Sequence, residues 1–222
     1  MDKYNLKKNL YGFRENYQKR TLSLNDLEES PTIQFEKWLK EAIDENIKEP
    51  NAMVLSTIGQ KGPNIRSVLL KEFNEDGFIF FTNYKSIKGQ DINKNKSVGL
   101  LFPWYQLERQ VVVLGKAKKI DEDSSLEYFN GRPFESKLGA WVSDQSKVIN
   151  NRKYLEERWI SYRSKFKGKE IPKPAEWGGY IVEPSEIEFW QGRERRLHDR
   201  FRYIKQYKDG GNYTWEINRL SP

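Results

Sequence analysis

The segment FWQGRERRLHDR (Phe189–Arg200) gathers four arginines around the only histidine of the chain, His198. Arginine binds carboxylate and phosphate groups through a planar fork of donors. If this segment is extended, Arg196 and Arg200 lie on the same face as His198 and their charges lower its pKa. A neutral ring suits hydrogen bonding to a ligand better than action as a charged acid. A solvated basic surface, a nucleic-acid patch and a pocket for an anionic ligand all remain open.

Two further segments carry groups that bind oxyanions. In RSVLLK (Arg66–Lys71), basic residues stand at both ends of an apolar strand. Ser86 is predicted to cap a helix that begins near Ile87, and Lys88 follows, so that free amides, a hydroxyl and a cation form a candidate phosphate site. Exposed strand ends and ordinary helix caps also show such patterns. These segments therefore indicate an anion site only in combination.

Tyr128, Arg132 and Ser136 are spaced four residues apart and would share one face of a helix, although Gly131 and Pro133 argue against a continuous one. All three are oxyanion donors. Gln145 and Ser146 are neutral donors that suit either a carbonyl-rich or ribityl-like ligand or the satisfaction of loop backbone. No nucleophile–base pair, carboxylate pair or dinucleotide fingerprint is recognisable. The residues therefore predict binding of phosphorylated, partly aromatic small molecules.

The predicted elements that must position these residues include both helices and strands. Ser30 and Pro31 predict the start of a helix with an apolar stripe, and short runs rich in Val, Ile, Leu and Phe predict at least five strands between residues 52 and 120. Asn74–Gly77 (NEDG) predicts a hairpin turn. Helices are predicted around DEDSSLEYFNG and from about Ser146 to Lys165, and further strands follow. We expect an α+β fold with an antiparallel barrel, in which residues 1–30 form a flexible arm and residues 31–222 one domain.

Composition narrows the classes of function. The 222 residues include no cysteine and one histidine, which excludes disulfides and thiolate or multi-histidine metal sites within one chain, so no metal is expected. The net charge of +7 favours anionic partners and keeps a nucleic-acid-binding protein as the rival from another class. No apolar run approaches the length of a membrane span, and no secretory signal is recognisable. We expect a cytoplasmic protein.

Taken together, the motifs resemble one family, the pyridoxine/pyridoxamine 5′-phosphate oxidases. The resemblance covers about residues 32–222 and is carried, in order, by RSVLLKEF, GFIFFTNYKSIKG, LERQVVVLG, YFNGRPFESKLGAWVSDQS, WGGYIVEPSEIEFWQG, RLHDRF and WEINRLSP. It implies a split-barrel flavoprotein that is a homodimer with FMN at the subunit interface. It also implies oxidation of pyridoxine 5′-phosphate and pyridoxamine 5′-phosphate to pyridoxal 5′-phosphate. A hydride would pass from substrate C4′ to flavin N5, and O₂ would reoxidise the flavin to give H₂O₂, with NH₃ released from the amine.

The resemblance also implies roles for individual residues. Arg196 and His198 would be the catalytic pair, placed over the substrate ring. The residues that would bind FMN are Arg66, Ser67, Val68, Leu69, Leu70, Lys71, Phe81, Thr82, Lys88, Gln110, Gln145, Ser146, Trp190 and Arg200. The residues that would bind the substrate are Lys71, Tyr128, Arg132, Ser136, Arg196, Leu197 and His198, together with Lys8 and Tyr11 of the arm. No nucleic-acid or membrane partner is expected.

The chain departs from the family pattern in three places. Ile87 stands where the family usually has arginine, and Val112 replaces an arginine in RQVVV. Lys8 and Tyr11 match a basic-x-x-Tyr element of the arm only loosely. Because one phosphate contact is missing, we expect weaker FMN binding than is typical, by about 1.5–3 kcal/mol, without loss of activity. A split-barrel flavoprotein that oxidises another substrate, or only stores its cofactor, remains a second rival.

Overall fold

The computed structural model describes residues 10–13 and 15–222, and these form an α+β fold. Five α-helices occur in this part of the chain: α1 (Pro31–Asp44), α2 (Ile87–Lys94), α3 (Glu122–Asn130), α4 (Phe134–Val142) and α5 (Arg152–Lys165). The strands are β1 (Ala52–Gly59), β2 (Gly62–Leu69), β3 (Glu72–Asn74), β4 (Gly77–Asn83), β5 (Ser97–Trp104), β6 (Arg109–Lys119), β7 (Trp177–Gln191), β8 (Asp199–Tyr207) and β9 (Tyr213–Leu220). The predicted fold class is confirmed.

The described residues divide into two compact units. The central unit comprises Glu49–Phe102 and Val112–Ile187, and the terminal unit comprises Pro103–Val111, Glu188–Pro222 and the described part of the first 48 residues. In the central unit the strands follow the order β2-β1-β5-β6-β7-β4-β3, with β1 antiparallel to both β2 and β5 and β4 antiparallel to both β3 and β7. In the terminal unit β8 pairs with β7 and is antiparallel to β9.

Local turn and cap chemistry explains several boundaries. The Ser30 hydroxyl accepts a hydrogen bond from the Thr32 amide, and Pro31 occupies the first turn, so α1 begins where the sequence predicts. Asn74 pairs with Gly77 across the NEDG turn, and the Asn74 side chain accepts from the Gly77 amide. Ser86 caps α2 by accepting from the Gly89 amide. These predicted turns and caps are confirmed.

The helix predicted from about Ser146 begins later. Asn151 caps α5 by accepting from the Tyr154 amide, so the helix starts at Arg152. Val148, which the sequence placed on the packing face of this helix, is fully exposed. The apolar spacing was correct from Leu155 onwards, but a side-chain cap inside the periodic stretch decides where the helix begins.

Aromatic rings fill both cores. In the terminal unit, Trp38 packs edge-on against Phe189, and Phe189 packs against Tyr203. In the central unit, Phe78 contacts Phe102, and a separate cluster joins Trp177 to α3 and α4 through Phe129 and Leu138. This second cluster lies beneath the residues that form the candidate site described below.

None of the helices in the described part of the chain is both long and apolar enough to cross a membrane. Within residues 15–30, Leu22 is buried and its amide donates to the Asp199 carboxylate. The division into an arm of residues 1–30 and one domain of residues 31–222 stays a prediction.

Candidate functional site

A cavity of about 480 Å³ in the central unit collects half of the predicted binding residues. Its walls are built from the end of β2, the end of β4, the start of α2 and the α3–α4 segment. Predicted residues that line it are Ser67, Val68, Leu69, Lys71, Phe81, Thr82, Lys88, Tyr128, Arg132, Ser136 and Gln145. The described lining contains three cations and not one carboxylate. Such a lining attracts an anion, because uncompensated cations near low-dielectric walls favour a negative ligand.

Lys88 is the most deeply placed of these cations, with only 8 % of its surface exposed. Its ammonium group donates to Thr82 Oγ1 at 3.2 Å and to Gln145 Oε1 at 3.3 Å, both of which are neutral oxygens. Burial, reinforced by the charge of Arg66, lowers the pKa of Lys88 to about 8. A buried ammonium without a carboxylate partner is costly, and a bound phosphate would remove that cost.

The α3–α4 segment places Tyr128, Arg132 and Ser136 on the same cavity without a continuous helix. The chain leaves α3 at Asn130 and enters α4 at Phe134, with Pro133 at the break. All three side chains nevertheless line the cavity. Burial lowers the pKa of Arg132, and its Nη1 is buried without a hydrogen-bond partner among the described residues. The structure therefore brings these three predicted residues to one cavity, although the helical reason for their grouping does not hold.

Arg66 lies beside this cavity in a hydrogen-bonded network and does not line it. Its Nη1 donates to Thr57 Oγ1 at 2.7 Å, and Thr57 and Asn64 both donate to Asp91 Oδ2 at 2.8 Å. Arg66 Nη2 is 3.9 Å from that oxygen. The network fixes the guanidinium at the level of α2. Leu70 is buried, and Ser146 is exposed with a left-handed φ of 73°, so neither contributes to the cavity lining.

A second cavity, of about 600 Å³, lies in the terminal unit at the β7–β8 connection. Three of the predicted residues line it, namely Trp190, Arg196 and His198. The rings of Trp190 and His198 are 4.6 Å apart between centroids. The predicted strand ending near Trp190 and the basic connection after it are confirmed. The cavity therefore presents an aromatic wall, an imidazole and guanidinium groups to one space.

The surroundings of His198 favour its neutral form. The Arg193 amide donates to its Nδ1 at 3.1 Å. Burial, and then the charges of Arg196 and Arg200, lower the pKa of His198, against the opposing charge of Asp199. The lowered pKa of His198 agrees with the sequence prediction, but burial, and not the charge of the arginines, is its largest cause. A neutral ring whose Nδ1 accepts a hydrogen bond carries its proton on Nε2.

The segment before His198 is not extended. Glu194–Arg196 forms a 3-10 turn, and Arg195 and Arg196 have left-handed φ values of 56° and 61°. Such values are unfavourable for residues with a Cβ, and they persist only where the surrounding structure imposes them. The turn carries Arg196 into the wall of the cavity. Strain of this kind is typical of ligand-binding loops.

Three predicted residues have other surroundings. Arg200 forms a two-pronged ion pair with Glu188, at 2.8 and 3.1 Å, and this hydrogen bonding raises the pKa of Arg200. Leu197 is 67 % exposed and lines a smaller cavity of about 350 Å³ beside the C-terminal residues. Gln110 is half-buried on β6 and lines neither main cavity. The roles given to them stay predictions.

Tyr17 belongs to the second cavity and was not selected from the sequence. Its ring packs against Trp190 at 5.8 Å and against His198 at 5.7 Å between centroids. It also lies so close to Gly192 that a Cβ there would be 2.8 Å from the Tyr17 ring, so a side chain at residue 192 would displace Tyr17. Arg14 and Tyr17 form a second basic-x-x-Tyr pattern that could have revealed it. Lys8 lies outside the described residues, as does the side chain of Tyr11.

Comparisons with known proteins agree with this fold. Residues 39–160 match the family model described as pyridoxamine 5′-phosphate oxidase, and residues 177–222 match the pyridoxine 5′-phosphate oxidase C-terminal dimerisation region. A pyridoxine/pyridoxamine 5′-phosphate oxidase of Prochlorococcus marinus (strain MIT 9303) is 51 % identical over 209 residues, which are 94 % of each chain.

Similar solved structures include the following two. One is PhzG from Burkholderia lata 383 in complex with tetrahydrophenazine-1-carboxylic acid, with a TM-score of 0.82 and 27 % identity over 91 % of this chain and 98 % of that one. The other is a pyridoxamine 5′-phosphate oxidase-related, FMN-binding protein from Nostoc punctiforme PCC 73102, with a TM-score of 0.66, 14 % identity and coverage of 87 % and 98 %. The second shows the fold alone.

The fold and the family matches together place the chain among the oxidoreductases of the FMN-binding split-barrel class. The donor set fits the cofactor, because a buried, carboxylate-free lysine stands beside neutral amide and hydroxyl groups. Within that class, the chain belongs to the pyridoxine/pyridoxamine 5′-phosphate oxidase family.

Proposed function

We propose that the cavity of the central unit holds the phosphate groups of both FMN and the substrate during the oxidation of pyridoxine 5′-phosphate and pyridoxamine 5′-phosphate to pyridoxal 5′-phosphate. The observation that carries this proposal is the lining with three cations and no described carboxylate. Both ligands are phosphate monoesters, and dianions of this kind need charge-assisted donors. The reaction class follows from the family to which the chain belongs. The proposed phosphate-binding residues are among those that line the cavity.

The donors divide into two groups by position. Lys88, Thr82 and Gln145 share hydrogen bonds at the N-terminal end of α2, and Arg66 stands beside them. We assign this group to FMN. Tyr128, Arg132 and Ser136 come from the α3–α4 segment, and we assign them, with Lys71, to the substrate phosphate.

Arg196 and His198 serve the reacting end of the substrate in this proposal. When bound, FMN accepts the hydride from substrate C4′ and passes the electrons to O₂, which yields H₂O₂. The Nε2–H of neutral His198 is free to donate to a substrate oxygen or nitrogen. Arg196, which has no carboxylate partner among the described residues, stabilises negative charge on the substrate ring. Both side chains orient the ring, and neither needs to transfer a proton.

A homodimer with FMN at the subunit interface completes the proposal. The match of residues 177–222 to a dimerisation region supports association of two copies. The terminal unit contributes all of β8 and β9 to that region. The absence of nucleic-acid and membrane partners, and the cytoplasmic location, stay predictions from the sequence.

The visible spectrum of the purified protein, reconstituted with FMN, tests the proposal. Anaerobic addition of pyridoxamine 5′-phosphate should bleach the flavin band near 450 nm, and air should restore it with formation of pyridoxal 5′-phosphate and H₂O₂. Bound FMN that is not bleached by either phosphate ester would support a flavoprotein with another substrate. A protein that binds no flavin and binds polynucleotide in a salt-dependent way would overturn the proposal.

A further inference from the structure

Trp177 lies next to two of the proposed substrate-binding residues. It contacts Arg132 directly, and it is linked to Tyr128 through the ring of Phe81. It is the first residue of β7 and is 7 % exposed. Its amide donates to the Pro174 carbonyl, and its own carbonyl accepts from Lys173 Nζ at 2.8 Å. These two hydrogen bonds fix the backbone of Trp177. Its indole therefore presents a rigid surface to its neighbours.

The guanidinium of Arg132 lies over this indole, with its central carbon 4.5 Å from the ring centroid. A desolvated contact between a cation and an indole face is among the stronger interactions of its kind. Arg132 Nη1 is buried and has no hydrogen-bond partner among the described residues. The face of Trp177 therefore sets the plane of the Arg132 guanidinium. Nη1 of this guanidinium remains available to donate to a ligand.

Tyr128 is held by the same indole through Phe81. The ring of Trp177 is parallel to that of Phe81 at 5.3 Å between centroids, and Phe81 stacks on Tyr128 at 3.8 Å. Gly179, the register partner of Phe81, makes room for this stack, because a Cβ there would be 2.9 Å from the Phe81 ring. One indole thus orders both the guanidinium of Arg132 and the ring of Tyr128.

We propose that Trp177 is a positioning residue for the substrate phosphate, acting through Arg132 and through the Phe81–Tyr128 stack. The inference rests on the proposed assignment of Arg132 and Tyr128 to that phosphate. Trp177 itself donates no hydrogen bond to the ligand in this proposal. Its contribution is to hold two donors in the geometry that a phosphate needs before the ligand arrives.

The test measures the affinity of the FMN-loaded enzyme for pyridoxal 5′-phosphate by titration without turnover, together with KM and kcat for pyridoxamine 5′-phosphate. We expect Trp177→Leu to weaken product affinity and raise KM by about tenfold, since it removes a desolvated cation–π contact. The value of kcat and the affinity for FMN should change by less than about twofold, because saturating substrate compensates for lost uniform binding. Trp177→Phe should restore most of the affinity, because it keeps a flat ring beneath Arg132.

Trp141→Leu is the matched control. Trp141 packs against the same hydrophobic cluster, but its ring contacts are with Tyr162 and Phe166, and its Nε1 donates to the Pro172 carbonyl. This variant should lower the melting temperature and leave product affinity unchanged. Equal weakening by Trp141→Leu and Trp177→Leu would show that only the packing of the cluster matters and would overturn the inference.

Arg132→Met separates failure of the inference from failure of the proposed function. If Arg132→Met leaves product affinity unchanged, the assignment of the substrate phosphate is wrong. If Arg132→Met weakens binding and Trp177→Leu does not, only the positioning role is wrong. Should Trp177→Leu fail to fold, Trp177→Met tests the same contact, since a flexible thioether fills the space without a flat ring beneath the guanidinium. Product affinity should then fall at least tenfold, and unchanged affinity would contradict the proposal.

Discussion

The backbone N–H of Arg193 donates a hydrogen bond to Nδ1 of His198, with 3.1 Å between the two nitrogens. Protonation of Nδ1 would break this bond and place a charge beside Arg196. The backbone and the local field therefore favour the same neutral form of the ring. We predict that His198 is uncharged near neutral pH, with a pKa below its ordinary value of 6.5.

Nuclear magnetic resonance can measure this pKa directly, because a tag-free protein contains one imidazole. The resonances of His198 should titrate below pH 6.5. Arg196→Gln should raise the pKa, since it removes a nearby cation that disfavours the charged ring. A pKa of His198 at or above 6.5 in the unmodified protein, or no change in the variant, would contradict this account.

Removal of Arg196 should impair turnover while FMN stays bound. We expect Arg196→Ala to lower kcat by about 10²–10³-fold, the range found when one preorganised charge-stabilising donor is lost. Arg195→Ala is the control, because Arg195 belongs to the same turn and lines the same cavity but has no role in the proposal. It should retain kcat within about twofold. Survival of turnover in Arg196→Ala, with the flavin spectrum intact, would show that this role is misassigned.

FMN affinity should depend on pH through Lys88. With a pKa of about 8, its ammonium is the form present below pH 8 and is progressively lost above it. A phosphate dianion binds the charged form, so affinity should fall by up to about tenfold per pH unit between pH 8 and 9.5. Fluorescence titration of the FMN-free protein measures this. Lys88→Met should bind FMN more weakly at pH 7 and lose the dependence in this range.

The lowered pKa of Lys88 also affects the stability of the FMN-free protein, which should rise with pH whereas FMN affinity falls. The pKa of Lys88 is lower in the folded protein than in the unfolded chain, where it is near 10.5. Between these values the unfolded chain binds more protons, so this group makes the FMN-free protein more stable as the pH rises from 8 to 10.5. Thermal unfolding of the FMN-free protein and of Lys88→Met should differ in slope over that window. Parallel curves would count against a buried, charged Lys88.

Local chemistry explains why much of the fold was predictable from the sequence. The cap at Ser30, the NEDG turn and the cap at Ser86 each depend on residues that are neighbours in the chain. The start of α5 was missed, because apolar spacing continued through a segment that the Asn151 cap excludes from the helix. Signals between neighbouring residues thus predicted these caps and this turn correctly, but they placed the start of α5 too early.

The candidate site was less predictable, because its partners are distant in sequence. Tyr17 meets His198 across 181 residues, and the Phe81–Tyr128–Trp177 stack joins three separate elements. The left-handed turn at Arg195 and Arg196 could not be inferred from an assumed extended segment. Arg200 faces Glu188, and no pattern in the sequence selected that acid. Motif resemblance named the residues, whereas only three-dimensional packing shows which of them meet.

Restoring an arginine at position 87 should tighten FMN binding. Ile87 is the first residue of α2, next to Lys88, and is 49 % exposed, so a longer side chain fits there without displacing the core. A new charge-assisted contact would contribute about 1.5–3 kcal/mol, roughly 10- to 150-fold in affinity. Titration of FMN-free Ile87→Arg measures this, with Ile87→Gln as the uncharged control. Unchanged affinity in Ile87→Arg would mean that position 87 does not face the cofactor phosphate.

A buried cation contacts the end of β7, next to Trp190. Arg109 is 5 % exposed, lies 4.1 Å above the Trp38 ring and donates to Glu41 at 2.7 Å and to Gln191 at 2.7 Å. The amide nitrogen of Gln191 in turn donates to backbone carbonyls, including that of Gly192. The ion pair with Glu41 therefore supports the strand end from which Trp190 projects.

Loss of that carboxylate should destabilise the fold. Because removal of one partner leaves a buried charge uncompensated, Glu41→Gln should cost about 2–3 kcal/mol, less than the 3–5 typical of a fully buried pair since Glu41 is one-quarter exposed. Glu45→Gln is the control, because Glu45 forms only an exposed pair with Arg20, at 3.5 Å, and should cost under about 0.5 kcal/mol. Urea unfolding compares the two. Equal costs would show that Arg109 does not depend on Glu41, and that the strand end is fixed by Gln191 alone.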